Sequence, residues 1–492
     1  MKKIVFLLVT VLVMSAYLSG CGGGSGSVGV PEDDGAEYQL KWFAPGNKST
    51  DHELVFSEIS KLTKEKINAT VTQTLIPSAE YAEQIQRLIF SGEPMDIIYA
   101  NGFPKYVSDG VYLPLDDLLK TYGQDVLSAL PEFAWKAVSV DGKIYGMPPL
   151  KDWAVHYVLQ YFDGLVKKYN MDFSTVKELK DIEPMLQTVK DNEPGVYPLG
   201  VTGKGNGLRN FLPIEQIEGS VIAGFRMNNY DKVVNIYDTD EYKEFFALMR
   251  SWNNKGFFRS DAVTGTTVTD LINANKVFLL TSESVPYFQE QKNKIEKEGW
   301  KTIFDGRLSK PMIRTKGISI TTQTISADSG NPVKAMKLLN LLYKDAELMN
   351  MLVLGLEGKH YTTVGDKFYR FPEGVVKTQD NDYYGNPSTQ GNRFLLRIKE
   401  GEPADLWEQY RRFNDEAVVS DALGFNFDSS KVMNEIAAIN NVYQEFIPSL
   451  LVGAIDPATE LPGILEKFKT AGSEKVVAEI QAQYDAWKQT SK

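Results

Sequence analysis

Between residues 38 and 99 the hydrophobic spacing switches repeatedly between two periods, and that alternation limits the fold more than any other feature. Tyr38-Gln39-Leu40-Lys41-Trp42-Phe43 alternates as a strand does and ends at Ala44-Pro45-Gly46-Asn47. Over 51–66, Leu54, Val55, Ile59 and Leu62 share one helical face, with Asp51 near its start. A second strand is read at 69–76 and a helix at about 79–90. The turn Ser91-Gly92-Glu93-Pro94 follows, then the short apolar run 95–99 as a buried strand. Strand, helix, strand, helix, strand opens a parallel sheet covered by helices. The expectation is an α/β lobe.

One such lobe is not the whole chain. A body of roughly 455 residues exceeds what a single core serves, so it divides. Asp141-Gly142 marks a hairpin turn, and Pro148-Pro149 marks a crossover into a second lobe. Residues 150–308 hold short elements broken by Gly and Asn. A strand near Gly317-Ile318-Ser319-Ile320 and a helix over Pro332–Tyr343 lead back to the first lobe. The stretch after about 395 reads as helical and ends in a strongly patterned run, 461–488. The expected division is 37–149 plus about 309–355 for lobe 1, and 150–308 plus about 356–492 for lobe 2.

The N-terminus carries a different message. Lys2 and Lys3 precede an apolar run, Ile4 to Val9 and Val11 to Met14, too short to span a bilayer stably. It ends in Leu18-Ser19-Gly20-Cys21, a pattern that resembles the bacterial lipobox. Cys21 is the one cysteine in 492 residues. Exported proteins use cysteines in pairs or avoid them, so a single one at the cleavage junction points to lipidation. Residues 1–20 are expected to be a signal peptide. Residues 21–36, rich in Gly, Ser and acidic side chains, are expected to be a flexible tether. No disulfide holds the fold.

Charge and residue supply exclude several chemistries. The chain's 53 Lys and Arg against 64 Asp and Glu give −11, and loss of Lys2 and Lys3 with the signal takes this to −13. Such a surface is a poor nucleic-acid binder. The three histidines, His52, His156 and His360, are far apart in sequence, and no zinc motif is present. Gly200-Val201-Thr202-Gly203-Lys204-Gly205-Asn206-Gly207 lacks the ending of a P-loop and reads as a flexible surface loop. Asp380 to Gly391 begins like a calcium loop but has Gly391 where a bidentate Glu belongs. No metal, cofactor or catalytic residue is expected. Two other readings stay open: a glycoside hydrolase built on two unmarked carboxylates, and a tethered sensor that binds without transport.

Several segments resemble the family 1 extracellular solute-binding proteins: Ser91 to Ile97, Leu113-Pro114-Leu115, and Asp141-Gly142-Lys143-Ile144-Tyr145-Gly146-Met147-Pro148. The segments Ala335 to Tyr343 and Glu357-Gly358-Lys359-His360-Tyr361 do so too. With Phe413 to Ala417 and Ala422 to Asp428, they are similar to the LplA-type lipoproteins of Gram-positive bacteria. The resemblance implies a two-lobe α/β clamp with discontinuous lobes, closing around a carbohydrate. It further implies an ABC permease as partner, attachment to the cell membrane through Cys21, and a monomer.

In open α/β sheets ligands lie beyond the carboxyl ends of the strands. That directs attention to Trp42 and Asn47 after the first strand, and to Asp96, Tyr99 and Asn101 around the third. For Asp96 a capping or sheet-edge role is the alternative. Trp153 and Tyr157 follow the crossover, where the resemblance places the cleft; otherwise Trp153 packs under the hinge. Trp300 is a cleft platform or a core cap. Glu357, His360 and Tyr361 form a polar cluster after an apolar helix, as an interface loop does.

Overall fold

A computed structural model describes residues 32–100, 103–265, 268–284, 299–303, 308–375 and 381–490. Cys21 and Asn101 lie outside the described residues.

The first lobe is built on a four-stranded sheet in the order Gln323–Ile325, Ile97–Tyr99, Tyr38–Pro45, Ala69–Ile76. Three strands are parallel, and Gln323–Ile325 joins antiparallel to Ile97–Tyr99. Side chains alternate between the two faces. Leu40, Trp42, Val71 and Ile97 pack with Val55, Phe56 and Ile59 of the helix His52–Ile67 and with the apolar face of Pro332–Lys344. Phe43, Ile76 and Ile98 pack on the other face with Tyr81, Ile85, Phe103, Tyr106 and Tyr112. The hairpin forms as expected: Ser139–Val140 pairs antiparallel with Lys143–Ile144, and Asp141 and Gly142 both take positive φ, 49° and 75°.

The second lobe has a mixed sheet, Trp300–Ile303, His156–Phe162, Val277–Ser284, Tyr197–Leu199. An antiparallel meander, Ile214–Gln216, Ala223–Arg226 and Asn229–Asn235, lies in the same lobe. Its core gathers Leu159, Leu199, Phe225, Phe246, Trp252 and Phe278. The C-terminal helices Met433–Leu451, Pro457–Thr470 and Ser473–Thr490 join this core through Ile447, Leu450, Phe468, Ile480 and Tyr484.

Three passes of chain connect the lobes. Val155 and Met312 exchange backbone bonds of 2.9 Å each way. Met312–Ile313 also pairs in parallel with Val418–Val419. Tyr361, Tyr369, Phe394, Trp407 and Tyr410, expected in the second lobe, pack in the same core as Leu40 and Trp42. Asp33, within the stretch expected to be tether, is ion-paired to Lys334 and Lys337 on the first lobe. The expected strand near 317–320 is a helical turn, Thr315–Ser319, and the strand follows at 323–325. Its Ile-Ser-Ile alternation buries Ile318 through a helical turn, a spacing too short to separate the two periods.

Candidate functional site

Three places bear on a ligand site: the carboxyl ends of the first sheet, the hinge, and the second-lobe strand His156–Phe162, which starts directly after the hinge bridge at Val155. Gly46 N donates to Ile76 O at 2.8 Å, and Ala100 N donates to Thr322 O at 2.8 Å, fixing the rim of the first lobe. Asn47 stands exposed on that rim. Tyr99 closes the third strand and is partly buried. Its ring meets Tyr81 edge-on at 5.9 Å, and burial pushes its phenol up to about 12.

Across the hinge, Tyr157 lies two residues beyond the bridge at Val155 and keeps part of its surface open. The Arg314 guanidinium sits 5.9 Å from its ring centroid. Glu283 is its register partner on the neighbouring strand. Burial raises the Tyr157 pKa, against the opposing pull of Arg314. The phenol therefore stays a neutral donor and acceptor, with an aromatic face, suited to hydroxyl-rich ligands.

The other described candidates, Glu357 apart, are buried and held by contacts within the fold. Trp42 is 2 % exposed and its indole donates to Gln323 Oε1 at 2.9 Å, because it lies on the helix-covered face of the sheet. Asp96 sits at the amino end of its strand, not the carboxyl end. Its carboxylate accepts from Lys41 N at 2.9 Å, Ser329 Oγ at 2.6 Å and Tyr38 OH at 3.2 Å, which is the capping alternative. Trp153, also 2 % exposed, donates to Pro149 O at 2.9 Å and packs edge-on against Phe133. Its backbone and that of Ala154 donate to Asn414 Oδ1, so Trp153 underlies the hinge. Trp300 is buried against Phe162, a core cap. His360 is buried, accepts from Leu356 N at 2.9 Å and pairs with Asp51 at 2.9 Å, stapling its loop to the first helix. Tyr361 is buried beside Tyr369, and Glu357 is exposed on the turn it shares with Tyr361.

The glycine loop 200–207 is not a free surface loop either. Val201, Thr202 and Asn206 are buried, and a Cβ at Gly203 would stand 2.6 Å from Pro448 O of the C-terminal helix. Among the described residues no three His, Cys, Asp or Glu gather as a metal site would need. The sequence reading missed Arg314, Glu215, Tyr230 and Ser420, which meet at the hinge from four separate segments. No local motif marks them, since only the pairing of hinge strands brings them together.

Comparison with known proteins agrees with this geometry. Residues 59–356 match the family described as bacterial extracellular solute-binding protein, and 421–489 match a domain of unknown function, DUF3502. A carbohydrate ABC transporter substrate-binding protein of Streptococcus pneumoniae is 28% identical over 100% of this chain and 99% of its own length. The solved N-glycan transport solute-binding protein (NgtS) of S. pneumoniae superposes with a TM-score of 0.80 at 26% identity, covering 93% of this chain and 100% of that one. The same protein in complex with Man1GlcNAc or Man5GlcNAc gives 0.68 and 0.66. With a two-lobe α/β body, three hinge passes and a profile match across more than half its length, the chain belongs to the bacterial extracellular solute-binding protein family.

Proposed function

We propose that this protein captures an oligosaccharide of mannose and N-acetylglucosamine units between its lobes and hands it to an ABC permease. One observation carries the sugar class: the full-length likeness to a protein solved with Man1GlcNAc and Man5GlcNAc. The higher TM-score against NgtS than against its sugar complexes supports a clamp with more than one lobe arrangement. Tyr157 and Tyr99, on opposite lobes with open aromatic surface, are the ring-stacking candidates, and Asn47 on the rim is the amide candidate. The reading is capture without chemistry, in line with the substrate-binding proteins the chain resembles. Cys21 is the proposed lipid attachment, with the body working as a monomer on the outer face of the membrane.

Calorimetric titration of the mature chain with Man5GlcNAc, Man1GlcNAc and a fructo-oligosaccharide control tests this. Saturable binding of the first two, with the sugar recovered intact, supports it. Shortened sugar would restore the hydrolase reading. Binding of the fructan alone would refute the sugar class.

A further inference from the structure

Glu215, on the second-lobe strand Ile214–Gln216, is buried. Its carboxylate accepts from Ser420 Oγ at 2.9 and 2.8 Å and from Tyr230 OH at 2.8 Å. Ser420 directly follows the hinge strand Val418–Val419, and Arg314 directly follows Met312–Ile313. One second-lobe carboxylate thus meets two of the three hinge passes. The contact to Arg314 is incomplete. Its Nε stands 3.9 Å from Glu215 Oε2, and among the described residues this buried Nε has no hydrogen-bond partner. A buried N–H without an acceptor is costly, and an Arg–carboxylate pair gains most when its bonds are direct. The neighbouring pair Lys316–Glu218, 3.5 Å apart, is exposed and contributes little.

We infer that Arg314 is a positioning residue for capture: lobe closure brings its guanidinium onto Glu215, completing the hinge contact while it still backs the Tyr157 ring. The unpartnered Arg314 Nε then opposes the open form and favours the closed one, which lowers the ligand concentration needed for closure. Glu215→Gln leaves one oxygen to accept from Ser420 and Tyr230 and removes the charge that attracts Arg314. The inference rests on the capture reading above, so its test carries a sugar-free arm.

With Cys21→Ser no cysteine remains, and a single pair can be placed across the lobes. Lys105 and Asp428 suit this. Lys105 is exposed on the first-lobe helix Phe103–Ser108, and Asp428 is partly exposed beyond the third hinge pass, on the second lobe. In mature chain carrying Lys105→Cys and Asp428→Cys, the rate of bridging by a short bis-maleimide without sugar reads closing excursions. Glu215→Gln and Arg314→Met should each slow bridging several-fold and weaken Man5GlcNAc binding about tenfold. The double variant should be no worse than either single. Arg314→Lys, the milder change, should fall between. Unchanged bridging rates in variants that melt like the parent, or losses that add in the double variant, would overturn the inference. If the parent fails to bind Man5GlcNAc, the proposed sugar falls while the bridging rates still decide the hinge.

Discussion

Lys334 is 1 % exposed, and its ammonium rests on Ile67 O at 2.8 Å and Asp33 Oδ1 at 3.0 Å. It lies in the first turn of Pro332–Lys344, where the helix dipole disfavours a cation, so the carboxylate is needed. Lys337, then Lys334, hold the Asp33 carboxyl down to about 2. Because the folded pKa lies below the ordinary 3.8, the contribution is present above the usual carboxylate range and fades as pH falls toward 2. Asp33→Asn, or a body cut at residue 37, should lose about 1–3 kcal/mol at pH 7, less than a fully buried pair. Chemical denaturation should show that loss shrinking at pH 2–3. Trp42→Ala should cost about 3–5 kcal/mol as a core deletion. Tyr157→Ala should melt near the parent and bind Man5GlcNAc about tenfold more weakly by titration, the size of one lost stacking contact.

Elements were legible where period and punctuation agreed. The helix at 51–66 and strand at 69–76 match His52–Ile67 and Ala69–Ile76, since each buries a face of one sheet and each has a clear stop, Asn68 at φ 50° and Pro77. The run 461–488 is two helices, broken at Gly472 with φ 98°. Their apolar stripes are continuous in sequence because both face one core, so period alone did not show the break. The glycine loop was misread because its glycines suggest freedom, whereas Gly203 is there to admit the Pro448 carbonyl. Gly203→Ala should therefore destabilise, and a lowered melting temperature without loss of helix content checks it.

For the molecule as a whole, a two-lobe body follows from length and alternation, but the partition of its C-terminal third does not. Residues 361–410 and 422–484 are both polar-apolar mixtures with aromatic anchors, and nothing local says which core each completes. The site suffered most. Tryptophans marked as sugar platforms are fully buried, because large aromatic side chains stabilise cores as readily as they stack on ligands. Since the DUF3502 segment supplies Phe468, Ile480 and Tyr484 to the second core, deletion of 421–492 should leave that lobe unfolded. Loss of cooperative melting would show it.

The central claim is oligosaccharide capture by lobe closure, and small-angle scattering of the mature chain with and without Man5GlcNAc tests it most directly. A saturable fall in radius of gyration, at concentrations matching the calorimetric affinity, is the predicted result. Saturating sugar with no change in radius, or no binding at all, would contradict it.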